Sequence, residues 1–562
     1  MPLVLYINTP YDRGMDLPGE LSKIIKGDVD ASDKAREFYS HDASLFEIKP
    51  QVIAFPKDGN DIQALVKFAN EHKKDIPNLS LTARSQGTDM SGAAINDSII
   101  IDTDRYMDKL LSVSAESAVV QPGMQYKDFE VETLKHGSIF PSYPASRDLA
   151  GMGGIVNNNS GGEKSLEFGK TDRYVSSMKM VLSDGNEYEI KPLNRDELNK
   201  KMEQDTFEGR LYRDTFAIVD KNYNEIKAAA PKVTKDSTGY HIWNIWDREK
   251  QIFDLTKLFV GAQGTLGIMT EATIDLVPKP THSGTLVCYL KSIDNLGEII
   301  PAVLKEKPAT FECFDDNTLW LSFKFIFAFI KRLGFMSWLV MCLQLIPDGL
   351  ALLKGIPKMI LLIEFTGNSE VEVKGKIHVA KEHIKHFGFS YMEEANTEAS
   401  SRKFWLMRRE SFGLLRSKVK DKHTAPFIDD FVVPPARLSE FLPQLRDIIK
   451  KYDLMATIAG HLGDGNFHVI PLMQIEDPKE RAKLQPAQKE VNELVIKYGG
   501  SISGEHNDGL VRGPWLEQMY SPSVLGYMRD MKRLYDPLNI FNPRKKVDAT
   551  WEYSFSHIRE NF

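Results

Sequence analysis

Gly460-His461-Leu462-Gly463-Asp464-Gly465-Asn466-Phe467-His468 is the stretch that orders the rest of the chain. An Asp-Gly pair between alternating residues is a strong hairpin signal. A two-residue turn on Asp464-Gly465 sets Gly463 opposite Asn466, Leu462 opposite Phe467 and His461 opposite His468. Alternation then puts both imidazoles on one face and Leu462 and Phe467 on the other. Directly opposed Cβ atoms lie about 5 Å apart, close enough for two ring nitrogens to reach one metal ion. An ordinary hairpin with histidines near its tip fits the same residues, so the stretch alone leaves both readings open. Further on, Ser503-Gly504-Glu505-His506 follows a short strand-like run and offers a carboxylate beside a third imidazole. Two histidines and a glutamate around an open position suit a catalytic divalent ion.

The bulk of the chain sets limits. Its 562 residues are 42% hydrophobic and 27% charged, with net charge −7. That is a folded protein of two to four domains, and its charge does not favour nucleic acid. Cys288, Cys313 and Cys342 are widely spaced. They exclude a disulfide scaffold, a four-cysteine zinc site and a cysteine-bound iron–sulfur cluster within this chain, and they fit a reducing compartment. Met1 to Ile7 has no basic region ahead of its apolar run, so a signal peptide is not expected and the expected location is cytoplasmic.

Upstream of the hairpin, residues 1–45 read as a helical lead-in, with a turn at Gly27-Asp28-Val29-Asp30. A short strand between Pro50 and Pro56 is followed by an amphipathic helix capped by Asp61, with Ile62, Leu65, Val66 and Ala69 inward. Three loops rich in small residues come next. Arg84-Ser85-Gln86-Gly87-Thr88-Asp89-Met90-Ser91-Gly92 follows a strand and exposes amides and hydroxyls that could hold a phosphate. It is neither a Walker loop nor a Rossmann fingerprint. Gly151-Met152-Gly153-Gly154-Ile155-Val156-Asn157-Asn158-Asn159-Ser160-Gly161-Gly162 is too rich in glycine and asparagine to read as a regular helix or strand. Gly261-Ala262-Gln263-Gly264-Thr265-Leu266-Gly267 leads into a strand starting at Ile268. Three such loops suggest one large ligand touched from several sides.

Taken together and in order, these loops, the hairpin, Ser503 to His506 and Asp536 to Pro543 resemble the vanillyl-alcohol-oxidase superfamily of FAD-dependent enzymes. Within it, the chain looks like the branch containing D-lactate, glycolate and D-2-hydroxyglutarate dehydrogenases. The resemblance covers roughly residues 45–548. It implies an α+β fold: a two-lobed PCMH-type FAD-binding domain (46–280), then an α+β substrate domain with an antiparallel sheet (281–548), ending in a tail (549–562). It implies non-covalent FAD, since the first loop carries no histidine. FAD contacts would come from Arg84, Ser85, Gln86, Gly87, Thr88 and Ser91, from Gly153, Gly154, Asn159 and Gly161, and from Gly264, Thr265, Gly267 and Ile268. Asn542 would sit near the flavin ring. The metal, expected to be zinc, would be held by His461, His468 and Glu505. His506 would be the general base, and Arg408, three residues after Trp405, would grip the substrate carboxylate. Members specific for 2-hydroxyglutarate add a lysine where this chain has Ile428, which weighs against a dicarboxylate. Asn507-Asp508-Gly509 replaces the usual Gly-Ile-Gly and could reshape the substrate pocket.

The implied activity is oxidation of a D-lactate-like D-2-hydroxy acid to its 2-oxo acid, with electrons passing to a quinone or another carrier. Alternatives are an oxidase of another alcohol or sugar acid, and a membrane-bound flavoprotein without this activity. An ether-lipid synthase ranks low because its run of histidines is missing. Residues 319–360 form an apolar, basic insertion, with Lys324, Lys331 and Arg332 on one helical face. It is expected to lie peripherally on the inner face of a membrane; a buried hairpin or a dimer interface is the alternative.

Overall fold

A computed structural model describes residues 15–316, 357–396, 400–401, 404–405 and 422–560. The first lobe is built on two almost wholly apolar strands, as expected for strands covered on both faces. Val52–Phe55 lies parallel to Ile99–Asp102, which in turn lies parallel to Leu81–Arg84. Asp28–Asp30 closes the edge. That segment was expected to be a turn; pairing with Val52–Phe55 makes it a strand instead. Helix Gly59–His72 covers this sheet with Ile62, Leu65, Val66 and Ala69 buried. Its cap is Asp58, not Asp61. Asp61 is buried in the first turn, where its carboxylate accepts the amides of Lys26, Gly27 and Lys57.

The second lobe is a five-stranded antiparallel sheet in the order Leu110–Val113, Ser117–Val120, Ile268–Asp275, Val175–Val181, Glu187–Ile190. Its central strand begins where the Gly261 to Gly267 loop ends. The asparagine-rich segment departs from expectation, because Met152–Asn158 is a helix. Its glycines permit close approach: a Cβ on Gly153 would sit 2.6 Å from Pro122 Cβ. Asn159 then ends the helix in the left-handed region, with φ 48°.

Among the described residues, the second domain is built on an eight-stranded, all-antiparallel sheet. Phe389–Ala395 lies at one edge and His423–Thr424 at the other. One large apolar cluster forms beneath helices Leu296–Leu304, Glu370–Ile384, Leu438–Lys451 and Leu484–Lys497. Of the expected membrane insertion (319–360), residues 319–356 lie outside the described residues. The apolar run that closes it, from Met359, is the core strand Met359–Gly367, paired on both sides. Among the described residues, no helix is long and apolar enough to cross a membrane.

The chain then turns back. Helix Pro522–Tyr535 packs in the core of the antiparallel lobe. Ile540 and Phe541 pack in the first lobe, where the Leu81 amide donates to the Ile540 carbonyl and the Asn542 amide to the Leu81 carbonyl. The C-terminal segment therefore completes the N-terminal domain, and the loops of both domains face one cavity.

Candidate active site

The cavity has a volume of about 900 Å³, at the upper end of the range for ligand pockets. Its first-domain wall includes Arg84, Ser85, Gln86, Gly87 and Thr88 from the first loop, Gly153, Gly154 and Gly161 from the second, and Gly264 and Gly267 from the third. Five other residues expected at the cofactor lie behind the wall. Ser91 hydrogen-bonds Asp89 and accepts from Gln263. The Asn159 side chain accepts the Asp172 amide. Thr265 joins Tyr240 to the Ala262 carbonyl. Ile268 is buried in the sheet. Asn542 donates to the carbonyls of Ala93 and Gln263, 2.9 and 2.7 Å away, and so ties two wall segments together.

Arg84 is also committed to the scaffold. Its guanidinium donates to the His41 carbonyl at 2.9 Å and stacks over the Tyr39 ring. Gly87 makes room for it: φ is +64°, and a Cβ there would overlap the guanidinium. The chain around Gly154 and Gly264 is shaped to receive a ligand, since a Cβ on either would meet no atom of the described residues within 4 Å. A cavity of this size lined by bare backbone fits FAD.

The second domain closes the far end with His461, His468, Glu505 and His506, joined by Glu312. The hairpin that carries the first two differs from the expected register. Strands Met455–His461 and Asn466–Met473 pair His461 with Asn466, and His468 with Ala459. The connection is a four-residue turn from Leu462 to Gly465, because only Gly465 takes positive φ and a type I′ turn needs it at both central residues. A shift of two residues keeps every side chain on its face. The two imidazoles are thus diagonal neighbours with centroids 5.3 Å apart. Leu462 and Phe467 are fully buried on the opposite side.

Glu505 reaches them through Asp430. This buried carboxylate accepts the amides of Gly504, Glu505 and His506, the Ser503 hydroxyl and the Asn466 side-chain amide. The Val432–Ser501 bridge holds the same segment in place. Glu505 Oε1 therefore lies 3.2 Å from Nε2 of His461, 3.2 Å from Nε2 of His468 and 3.7 Å from Nε2 of His506. Ligands about 2.1 Å from a tetrahedral ion are about 3.4 Å apart, so His461, His468 and Glu505 fit such an ion with little movement. Asp430, His468, Glu505 and His506 also bring ligand atoms within 4.8 Å of one another. The oxygens of Asp430 are already occupied by amides, so His461 is the better ligand beside His468 and Glu505.

The rear nitrogens are held by carboxylates. Asp429 spans His468 Nδ1 at 3.0 Å and His506 Nδ1 at 2.9 Å. Glu312 meets His461 Nδ1 at 2.5 Å. These contacts leave Nε2 of all three rings facing inward and set the tautomer. Burial works against charge on His468, but Asp429 and Glu505 outweigh it and raise its pKa to about 10. For Glu505, burial is outweighed by Lys235 and His461, which hold its carboxyl well below the usual range.

Lys235, Glu312, Asp429 and Asp430 had no role assigned from sequence. A readable signal existed for three of them: acids inside apolar strand-like runs must be paired to be buried. Lys235 sits in an ordinary polar stretch and gave no signal. Asn507 and Asp508 do not line the cavity. They are fully buried behind it, bound to Lys546 Nζ at 2.6 and 2.8 Å. Arg408 lies outside the described residues; its near neighbour Trp405 is described, with its indole N–H on the Thr285 hydroxyl.

The fold is the PCMH-type FAD-binding fold. The structure superposes on a 4-ethylphenol oxidase from Gulosibacter chungangensis with TM-score 0.64 at 15% identity, covering 95% of this chain and 97% of that one. It superposes on p-cresol methylhydroxylase with TM-score 0.62 at 16% identity, covering 93% and 94%. The chain belongs to the FAD-linked oxidases: residues 50–191 match the FAD binding domain and residues 279–546 the C-terminal domain of FAD linked oxidases. It is 27% identical over 529 residues to a D-2-hydroxyglutarate dehydrogenase of Pseudomonas putida, covering 92% of this chain and 50% of that protein. This chain thus spans about half the length of that relative. It is 27% identical to the glycolate oxidase subunit GlcD of Bacillus subtilis, covering 92% and 93%, and 25% identical to a D-lactate dehydrogenase of Archaeoglobus fulgidus, covering 94% and 98%.

Proposed function

We propose that this protein oxidises a D-2-hydroxy acid to the 2-oxo acid with FAD as non-covalent cofactor, a divalent metal (zinc in the first instance) at His461, His468 and Glu505, and a quinone or other carrier as final electron acceptor. The observation that carries the reading is the convergence of three imidazole Nε2 atoms on one carboxylate oxygen at the end of a glycine-lined cavity. The names of the relatives, all acting on 2-hydroxy acids, support the substrate class.

FAD, when bound, supplies the two-electron acceptor, and the metal supplies a Lewis acid that acidifies the substrate hydroxyl. His506 takes the hydroxyl proton at Nε2; Asp429 on Nδ1 orients the ring and stabilises the imidazolium that results. Arg408 is proposed to hold the substrate carboxylate through its guanidinium fork. Ile428 is 3% exposed and packed in the apolar core. It offers no second cation, which favours a monocarboxylic acid of lactate type. The test is anaerobic bleaching of flavin absorbance by a panel of D- and L-2-hydroxy acids, with and without chelator. Bleaching by D-acids that chelator abolishes supports the reading. A colourless protein overturns the flavin assignment, and bleaching indifferent to chelator overturns the metal.

A further inference from the structure

Lys235 is fully buried, and a buried ammonium is retained only where its surroundings compensate it. Its Nζ lies 3.0 Å from Glu505 Oε2, 3.1 Å from the Gly162 carbonyl and 3.5 Å from both Asp464 Oδ2 and Asn466 Oδ1. Glu505 is therefore divided: Oε1 faces the imidazoles, and Oε2 faces Lys235. Asp464 is 1% exposed, and among the described residues neither of its carboxylate oxygens has a hydrogen-bond partner. Buried carboxylates are rarely left so. Its charge, 3.5 Å from the ammonium, helps to hold Lys235 in place.

We propose that Lys235 makes Glu505 a one-oxygen metal ligand and thereby keeps a coordination position open for substrate. The inference rests on the metal reading above. Carboxylates bind cations through one oxygen or through both. With His461, His468 and Oε1 in place, a tetrahedral ion has one position left. If Oε2 were free, it would compete for that position as the nearest available donor. Lys235 occupies Oε2 and prevents this without touching the ion. It is a positioning residue, not a catalytic one.

The test uses the purified full chain loaded with cobalt(II), whose visible and electron-paramagnetic-resonance spectra report coordination number. Azide serves as the probe for the open position. The wild type is expected to give a four-coordinate spectrum that shifts on adding azide. Lys235→Met is expected to give a higher-coordinate spectrum and about tenfold weaker azide binding. Lys235→Arg, which keeps a cationic donor on Oε2, is expected to retain the wild-type response. Lys235→Gln replaces Lys235→Met if thermal melting shows that the latter is unfolded, with the same expected loss. A Met or Gln variant with the wild-type spectrum and azide affinity overturns the proposal while leaving the metal site standing. Cobalt uptake that is unchanged in a His461→Ala, His468→Ala double variant overturns the metal site itself, and this proposal with it.

Discussion

Asp430 gathers the site segment onto the sheet, and removing its carboxylate should be among the costliest single changes in the chain. Among the described residues, the amides of Glu505 and His506 have this carboxylate as their acceptor, whereas the Gly504 amide also reaches the Asp430 carbonyl. Asp430→Ala therefore strands two buried N–H groups at about 1–3 kcal/mol each, and takes one bond each from Ser503 and Asn466 at about 1 kcal/mol. Asp430 also has φ 68°, where alanine is less tolerated and adds about 1 kcal/mol. The sum is about 5–9 kcal/mol. Asp430→Asn keeps one acceptor oxygen and the tolerance of positive φ, and should lose about half as much. Scaled by chain length, an unfolding entropy of about 1.2 kcal/mol/K converts these losses into roughly 6 °C and 3 °C of melting temperature. Calorimetry of the metal-free protein is the assay. A metal-free Asp430→Asn variant melting within about 1 °C of wild type would refute the anchoring role. If its defect appeared only as weakened metal binding, Asp430 would be a ligand.

Asp429→Asn leaves one acceptor for two Nδ1–H groups, so one imidazole must take the wrong tautomer; zinc affinity should fall about 10–100-fold by titration, and an unchanged affinity would remove Asp429 from the site. Gly154→Ala meets no atom of the described residues within 4 Å, so the apoprotein should melt no lower than wild type. FAD affinity should drop about tenfold as the methyl fills the cavity, and equal affinity by fluorescence titration would place FAD elsewhere. Burial pushes the Lys545 pKa from 10.5 down to about 7. Across that window the unfolded chain holds the extra proton, so this residue makes stability rise with pH and costs stability below about pH 7. Lys545→Met should flatten the rise seen in urea unfolding between about pH 7 and 9, and an identical slope would contradict the assignment.

How far the sequence could be read depended on whether a feature was local. The strand at Val52–Phe55 was legible because a doubly covered strand is a continuous apolar run. The meeting of His461 and His468 was legible although the register was wrong, because a two-residue slip preserves the face. The helix at Met152–Asn158 was not, since glycine content argued against a conformation that tight packing on Pro122 stabilises. The cap of the first long helix was misplaced by three residues, because Asp61 was needed for amides of a distant turn. Glu312, Lys235 and Asp430 act across 149, 270 and up to 76 residues of chain. No spacing rule carries over such separations.

The return of the chain end has a consequence for biosynthesis. Strand Leu81–Arg84 gains its outer neighbour at Phe541, and the core beneath it includes Ile540. A domain whose first strands leave the ribosome early is completed only by residues made more than 450 positions later, as the Thr82–Asn542 contact shows. Contacts of such long sequence separation form slowly and expose apolar surface in the interval. The N-terminal lobe should therefore remain protease-sensitive on the nascent chain until synthesis passes Asn542, and only then become resistant in one step.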